Sequence, residues 1–268
     1  MTTGALIFAF NNEQTDYVKM AAWNAKNIRR HLGIPTVIVT DADPTDPRLS
    51  EVDQVIAGSA QSGGTRWFED YAATVSWYNA GRTNAYRLSP WDRTIVLDAD
   101  YVVASSQLKV LLDSNQEFLA HDAAFDLTGL NDFQDLNHYG MYRMPMSWAT
   151  VMVFNHCQHV ELIFDCMEMV QNNWQHYRNV YRATSPAYRN DYALSIALHL
   201  VNGQTLHAPS IPWKLASLTP EHQVIQAGLD SYRINYIDRD QRARWILVNN
   251  QDFHAMGKQH LEKIIEAH

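Results

Sequence analysis

Cysteine is almost absent from this 268-residue chain: Cys157 and Cys166, nine positions apart, are the only two. They fall on an expected strand and the helix after it, so they read as buried thiols rather than as a disulfide framework or metal site, which fits a reducing cytoplasm. No apolar run reaches the roughly 18 to 20 residues of a membrane span. The N-terminal run ALIFAF follows no basic segment, and neither an anchor nor a signal peptide is expected. A surplus of positive charge is missing too. Against 21 Lys and Arg stand 29 Asp and Glu, a formal net charge of -8, which argues against non-specific adhesion to nucleic acid over the whole surface. Apolar residues make up 46% of the chain, enough for a sizeable core, and 8 Trp with 13 Tyr can line a sugar- or base-binding cleft as well as fill that core.

ALIFAF (5–10) is a short β-rich run, followed by polar NNEQTD and then by Tyr17, Met20, Ala21, Trp23, Ala25 and Ile28 at near-helical spacing. Gly33 and Pro35 punctuate the helix end, and TVIVTDAD (36–43) reads as a second strand with an acidic end. Strands alternating with amphipathic helices predict an α/β fold: a mostly parallel, Rossmann-like sheet flanked by helices. Further strands are expected at 54–58, from 94, at 117–122, 148–156 and 244–250, and helices over 67–88, around 106–114, over 160–177 and over 190–201. Residues 125–147 read as irregular and the C-terminal part as a decoration. With no internal repeat or low-complexity segment, residues 1–268 read as one domain.

The stretch TIVLDADYVV (94–103) sets Asp98 and Asp100 directly behind an apolar run. Ligands of an open parallel sheet bind beyond the carboxyl ends of its strands. Strand alternation would turn Asp98 and Asp100 to one side and Ala99 to the other, giving two hard oxygen ligands suited to Mn²⁺ or Mg²⁺. Such an ion could neutralise a diphosphate leaving group. Two solvated acids accepting loop N–H groups are the alternative reading of this motif.

An apolar strand followed by Asp-x-Asp resembles the signature of GT-A-fold glycosyltransferases, and the chain is similar to their glycogenin and galactosyltransferase-like branch. That resemblance implies a metal-dependent enzyme moving a sugar from a UDP-sugar to an acceptor hydroxyl. It implies roles for Asn11, Asn12 and Tyr17 at the uracil and ribose, and for Arg82, sixteen residues before Asp98, at the donor's diphosphate or sugar. In RNDYALSIAL it implies that Asp191 touches the sugar hydroxyls, where a helix N-cap by Asn190 or Asp191 is the structural alternative. In VNNQDFHAMGKQHL it implies that His254 is the third metal ligand, that Gly257 lets backbone N–H approach phosphate, and that Lys258 counters its charge. Two departures stand out: Lys258 follows His254 by four residues rather than the family's six, and Trp148-Ala149-Thr150 replaces the family's Asn-Ser-Gly beside the donor sugar. The late His motif implies a retaining transferase. An inverting one would need a carboxylate base, for which Asp126, Asp132 and Asp135 are available.

QNNWQHYRNVYRATSPAYRN (171–190) interleaves Arg178, Arg182 and Arg189 with Trp174, Tyr177, Tyr181 and Tyr188 and contains no acid. It reads either as an anionic-acceptor surface, with Trp174, Arg178, Arg182 and Arg189 as contacts, or as an amphipathic helix with solvated arginines. The chain also looks like small transferases encoded by tailed bacteriophages, which implies hydroxymethylcytosine in phage DNA as the acceptor, reached by exposing the base. A bacterial surface glycan is the competing acceptor. A non-catalytic nucleotide- or glycan-binding module is the reading from another class.

Overall fold

The computed structural model describes residues 1–68, 71–203 and 209–267. In chain order the first half comprises β1 (Thr3–Phe8), α1 (Tyr17–Leu32), β2 (Thr36–Thr40), β3 (Gln54–Ala57), β4 (Thr65–Phe68), β5 (Ala73–Ser76), α2 (Ala85–Leu88), β6 (Arg93–Leu97), β7 (Tyr101–Val102), α3 (Lys109–Leu112), β8 (Phe118–His121) and β9 (Ala124–Asp126). The second half comprises β10 (His138–Tyr139), β11 (Met144–Pro145), β12 (Trp148–Asn155), α4 (Gln158–Asn172), α5 (Trp174–Tyr181), α6 (Asn190–Val201), β13 (Leu215–Leu218), β14 (Gln223–Gly228), β15 (Ser231–Ile237), β16 (Ala243–Asn249), β17 (Phe253–Ala255) and α7 (Lys258–Glu266).

The central six-stranded sheet has the order β3-β2-β1-β6-β12-β8, and β3, β2, β1 and β6 run parallel. β12 runs antiparallel between β6 and β8. The result is a mixed α/β architecture with a largely parallel sheet, as the alternating pattern predicts. Successive residues of β1 point to opposite faces, and both faces are covered. Ala5 and Ile7 pack with Met20, Ala21 and Ile28 of α1, while Leu6 and Phe8 pack with Val160 and Phe164 of α4 and Leu194 of α6. Each such buried Leu, Ile, Val, Met or Phe side chain contributes about 1.5–3 kcal/mol relative to exposure. Two local signals bound α1: the Asp16 side chain accepts from the Lys19 amide at 3.0 Å, and Gly33, at φ 70, closes the helix in the left-handed region.

Strand order reverses between β1 and β6, the point where the chain leaves the β1-β2-β3 side and crosses to the other. A crevice therefore opens beyond their carboxyl ends. A second sheet, β7-β17-β13-β9, lies at this end and carries a C-terminal strand back beside the end of β6. The described C-terminal part adds an antiparallel meander, β14-β15-β16.

Several sequence expectations need correction. The stretch 67–88 is not one helix: β4 and β5 pair as a hairpin, and only short helical turns at Ala80–Asn84 and Ala85–Leu88 follow. Trp77 and Tyr78, within that stretch, line a cavity. The helix expected over 160–177 breaks at Asn173, whose side chain turns back to the Met169 carbonyl at 2.9 Å. The helix expected around 106–114 contracts to Lys109–Leu112, and the irregular stretch 125–147 contains the pair β10–β11. Cys157 and Cys166 are free and half-buried rather than fully buried. Among the described residues, no helix is long and apolar enough to cross a membrane.

Candidate active site

Asp98 and Asp100 do not converge by strand alternation. β6 ends at Leu97, and Asp98 opens a turn closed by the Tyr101 amide donating to the Asp98 carbonyl at 3.1 Å. The turn brings both carboxylates to one point. The third group comes from the far end of the chain, because β17 pairs antiparallel with β7 and sets His254 opposite Tyr101. The Ala255 amide donates to the Asp100 carbonyl at 3.0 Å and fixes that register. One ligand atom each from Asp98, Asp100 and His254 then lies within 4.8 Å of the other two, and His254 Nε2 is 3.4 Å from Asp100 Oδ2. Two carboxylates and an imidazole form a hard oxygen and nitrogen donor set that fits a divalent cation such as Mn²⁺ or Mg²⁺.

Each acid also faces a buried cation. Arg82, 1% exposed, sets Nη2 at 2.8 Å from Asp98 Oδ1, and Nη1 donates to the Ala149 carbonyl at 2.7 Å. Lys258 opens α7, directs its ammonium onto Asp100 Oδ2 and donates to the Ala255 carbonyl at 3.2 Å. Burial pushes the Asp98 carboxyl up against the pull of Arg82, and the neighbouring Asp100 adds to the push. Burial alone would raise Asp100 as well, but the Lys258 ammonium and the His254 imidazole together hold it well below the usual carboxylate range.

These groups line a cavity of about 210 Å³. Its walls include Phe8, Phe10, Asn12, Tyr17, Trp77 and Tyr78, together with Trp148, Thr150, Asn190 and Asp191. Asn12 also ties the loop together, since its Oδ1 accepts from the Gln14 and Thr15 amides at 2.9 and 2.8 Å. Asn11 is not in the lining: its Oδ1 accepts from the Val18 amide at 3.0 Å and holds the start of α1. Asp191 is in the lining but does not cap α6. It accepts from the Ala149 amide at 3.0 Å and from Arg189 at 3.1 Å, while Arg189 takes the N-cap position without a side-chain capping bond. Gly257 lies outside the lining, with an ordinary φ of -81. A Cβ there would stand 3.1 Å from the Pro220 carbonyl oxygen, so the glycine serves a close backbone crossing.

A second, open cavity of about 1080 Å³ adjoins the first, and Trp148, Arg189 and Met256 line both. Tyr139, Tyr192, Trp67, Arg143 and Glu221 line it as well. The four residues expected to form one basic acceptor surface are dispersed. Arg189 faces the cavities, Trp174 stacks on Tyr192 at 5.8 Å and spends its Nε1–H on the Pro186 carbonyl, and Arg178 and Arg182 line neither cavity. The break at Asn173 and the left-handed turn at Arg182 separate them. Of the candidate bases, Asp126 is buried and accepts from Thr128 and Asn131, Asp132 accepts from the Gln134 amide, and the Asp135 side chain lies outside the described set. Sequence reasoning missed Trp77, Tyr78 and Asn190 as lining residues. The first two were hidden by the helical pattern assigned to their segment.

No protein-family model and no curated protein matches the sequence. Among solved structures, the chain is similar to the glycosyltransferase GlyE of Streptococcus pneumoniae TIGR4, at 15% identity over 79% of this chain and a TM-score of 0.45. It spans 46% of that protein's length. It is also similar to the galactosyltransferase LgtC in complex with donor and acceptor sugar analogs, at 14% identity over 73% of this chain and 70% of that one, with a TM-score of 0.42.

Proposed function

We propose that this protein is a metal-dependent glycosyltransferase of the GT-A type, which moves a sugar from a UDP-sugar held in the smaller cavity to an acceptor hydroxyl held in the larger one. The observation that carries this reading is the convergence of Asp98, Asp100 and His254 at the crevice where the strand order reverses. A divalent cation bound by these three side chains supplies charge neutralisation to the diphosphate leaving group. Lys258, beside Asp100, and Arg82, beside Asp98, offer the diphosphate permanent positive charge. Tyr17, Phe8 and Phe10 offer flat apolar faces to the base, with Asn12 in the same lining as a polar partner. Asp191, held by the Ala149 amide and Arg189, presents a fixed carboxylate to sugar hydroxyls.

Transfer with retention follows if the C1–O bond to the diphosphate breaks while the acceptor oxygen closes on C1 from the same face, its proton passing to the departing phosphate oxygen. Occupancy of Asp191 by two donors supports this route, because a carboxylate committed to structural partners is a poor base. Inversion is the second reading, and Glu221 favours it: this half-exposed acid on the wall of the larger cavity is held at 3.2 Å by Asn131 Nδ2. The anomeric configuration of the first-formed product, read by NMR, decides between the two.

Hydroxymethylcytosine in DNA is the acceptor we propose to test first, and a surface glycan the second. The aromatic lining of the larger cavity suits an exposed base or a sugar ring, while the dispersed arginines favour contact with a single residue over a long phosphate track. The test is incubation with a panel of labelled UDP-sugars and Mn²⁺, offering hydroxymethylated DNA and glycans in separate arms. Metal-stimulated transfer of label supports the reading. A protein that neither transfers nor hydrolyses any UDP-sugar, and whose UDP affinity is the same in Asp100→Ala, would instead be a binding module.

A further inference from the structure

β10 and β11 pair as a hairpin, His138 opposite Pro145 and Tyr139 opposite Met144, so residues 140–143 form its tip. Gly140 and Arg143, at the two ends of the tip, line the larger cavity. Met141 and Tyr142, between them, do not. They are 72% and 62% exposed, and neither contributes to the core. Single exposed apolar residues are ordinary on a surface, but these two stand together at the rim of a cavity whose lining includes two more, Trp67 and Leu136, 62% and 44% exposed.

The tip is held firmly at its base. Tyr139, 4% exposed, packs against the rings of Tyr181 and Tyr192, their centroids 6.1 and 5.4 Å away. The Met141 amide donates to the Arg182 carbonyl at 3.3 Å, and the Arg143 amide closes the turn on the Gly140 carbonyl at 3.1 Å. A fixed backbone thus presents two apolar side chains to solvent.

The charge around the tip points to the partner. Residues 136–160 and 169–190, which include the hairpin, β12 and α5, contain Arg143, Arg178, Arg182 and Arg189 and no Asp or Glu, in a chain whose formal charge is -8. Arg143 and Arg182 are exposed, and the second is tied to the tip through its carbonyl. Among the described residues, Glu221 is the one acid lining the cavity. A locally positive surface with a small apolar wedge, set before an aromatic-lined cavity, matches duplex nucleic acid. Arginines take the phosphates beside one base step, the wedge enters the stack, and the cavity receives the base that leaves it. Two side chains on a tight turn bury too little apolar surface to hold a lipid bilayer.

We infer that Met141 and Tyr142 form a wedge for duplex DNA: they enter the base stack in place of the acceptor base, which turns out into the larger cavity. This rests on the acceptor reading above. Tyr142 brings a flat ring to stack on the neighbouring base, and Met141 an unbranched chain that adapts to the gap beside it.

The experiment measures transfer, from the UDP-sugar that wild type uses, to a duplex carrying one hydroxymethylcytosine, to the same strand alone and to a bacterial surface glycan. The double variant Met141→Ser with Tyr142→Ser is expected to lose about tenfold or more in kcat/KM on the duplex and to stay within about threefold of wild type on the single strand, which needs no opening. With 2-aminopurine beside the target base, fluorescence should rise when wild type binds the duplex and not when the double variant does. Equal losses on duplex and single strand, or no loss on either, overturn the wedge and leave the acceptor site standing. Labelling of the glycan with no labelling of either DNA overturns the DNA acceptor, and the wedge falls with it. If wild type transfers sugar to no acceptor, the transferase reading itself fails and takes the wedge with it. Wild type that sediments with phosphatidylglycerol vesicles, beside a double variant that does not, assigns the tip to a lipid surface and overturns the proposal.

Discussion

Arg82 Nη2 lies 2.8 Å from Asp98 Oδ1, and the same guanidinium donates to the Ala149 carbonyl at 2.7 Å. One buried side chain thus joins the end of β6 to the start of β12 and holds the first acid of the candidate metal triad in place. Replacing Arg82 with Met leaves Asp98 without its counter-charge. Because Asp98 keeps 22% side-chain exposure, the expected loss is about 3 kcal/mol, the lower end of the range for broken buried pairs. Urea unfolding measures it, and Arg82→Lys, which keeps the charge but not the fork, should fall between wild type and Arg82→Met.

Lys258 is expected to contribute more to binding than to folding. Its ammonium meets Asp100 at the floor of the cavity, where a diphosphate would also seek it. Lys258→Met should weaken UDP binding in Mn²⁺ by about tenfold or more, as loss of a charge-assisted contact does. Calorimetry checks this, and unchanged affinity would remove Lys258 from the phosphate site.

How much of this was legible beforehand varied with the range of the interaction. Local signals served well: ALIFAF and the Gly33 and Pro35 punctuation set β1 and α1, and the apolar run before Asp98 set β6. The triad was legible because Asp-x-Asp and the late His254 are each short motifs. Their juxtaposition depends on β17 pairing with β7, a contact across most of the chain that no local pattern encodes. The hairpin β4–β5 reads as helix in sequence because a short run of aromatic and apolar residues satisfies both periods, and tertiary packing selects the strand. The arginine patch failed for a related reason. Spacing along 171–190 suggested one surface, but the break at Asn173 and the turn at Arg182, at φ 53, aim its members in different directions.

His121 provides a pH signature of folding. It is buried on β8 with neither ring nitrogen partnered, and burial pushes its pKa from 6.5 down to about 3. Between those values the unfolded chain binds the proton and the folded one does not. Stability is therefore full above about pH 6.5 and is lost as pH falls toward 3, by up to about 1.4 kcal/mol per pH unit. Denaturant midpoints of wild type should drop more steeply from pH 6.5 to 4.5 than those of His121→Phe, and equal slopes would contradict it.

Gly140 sits on the rim of the larger cavity at φ 68, and a Cβ there would stand 2.1 Å from the Tyr181 carbonyl oxygen. Both the backbone conformation and the contact exclude a side chain. Gly140→Ala is expected to cost about 2 kcal/mol or more in thermal and chemical unfolding. If the fold tolerates it, transfer to the acceptor should suffer more than hydrolysis of the UDP-sugar, since the displaced β10–β11 hairpin lines the larger cavity proposed for the acceptor.

The most direct test is titration of UDP into the protein with Mn²⁺ present or removed by chelator, for wild type, Asp100→Asn and His254→Ala. If Asp98, Asp100 and His254 grip a cation that holds the diphosphate, wild type binds UDP tightly only with Mn²⁺. Each variant then loses more than the roughly 10- to 100-fold that removal of an outer-shell partner costs. UDP binding that is indifferent both to the metal and to these two substitutions would contradict the account.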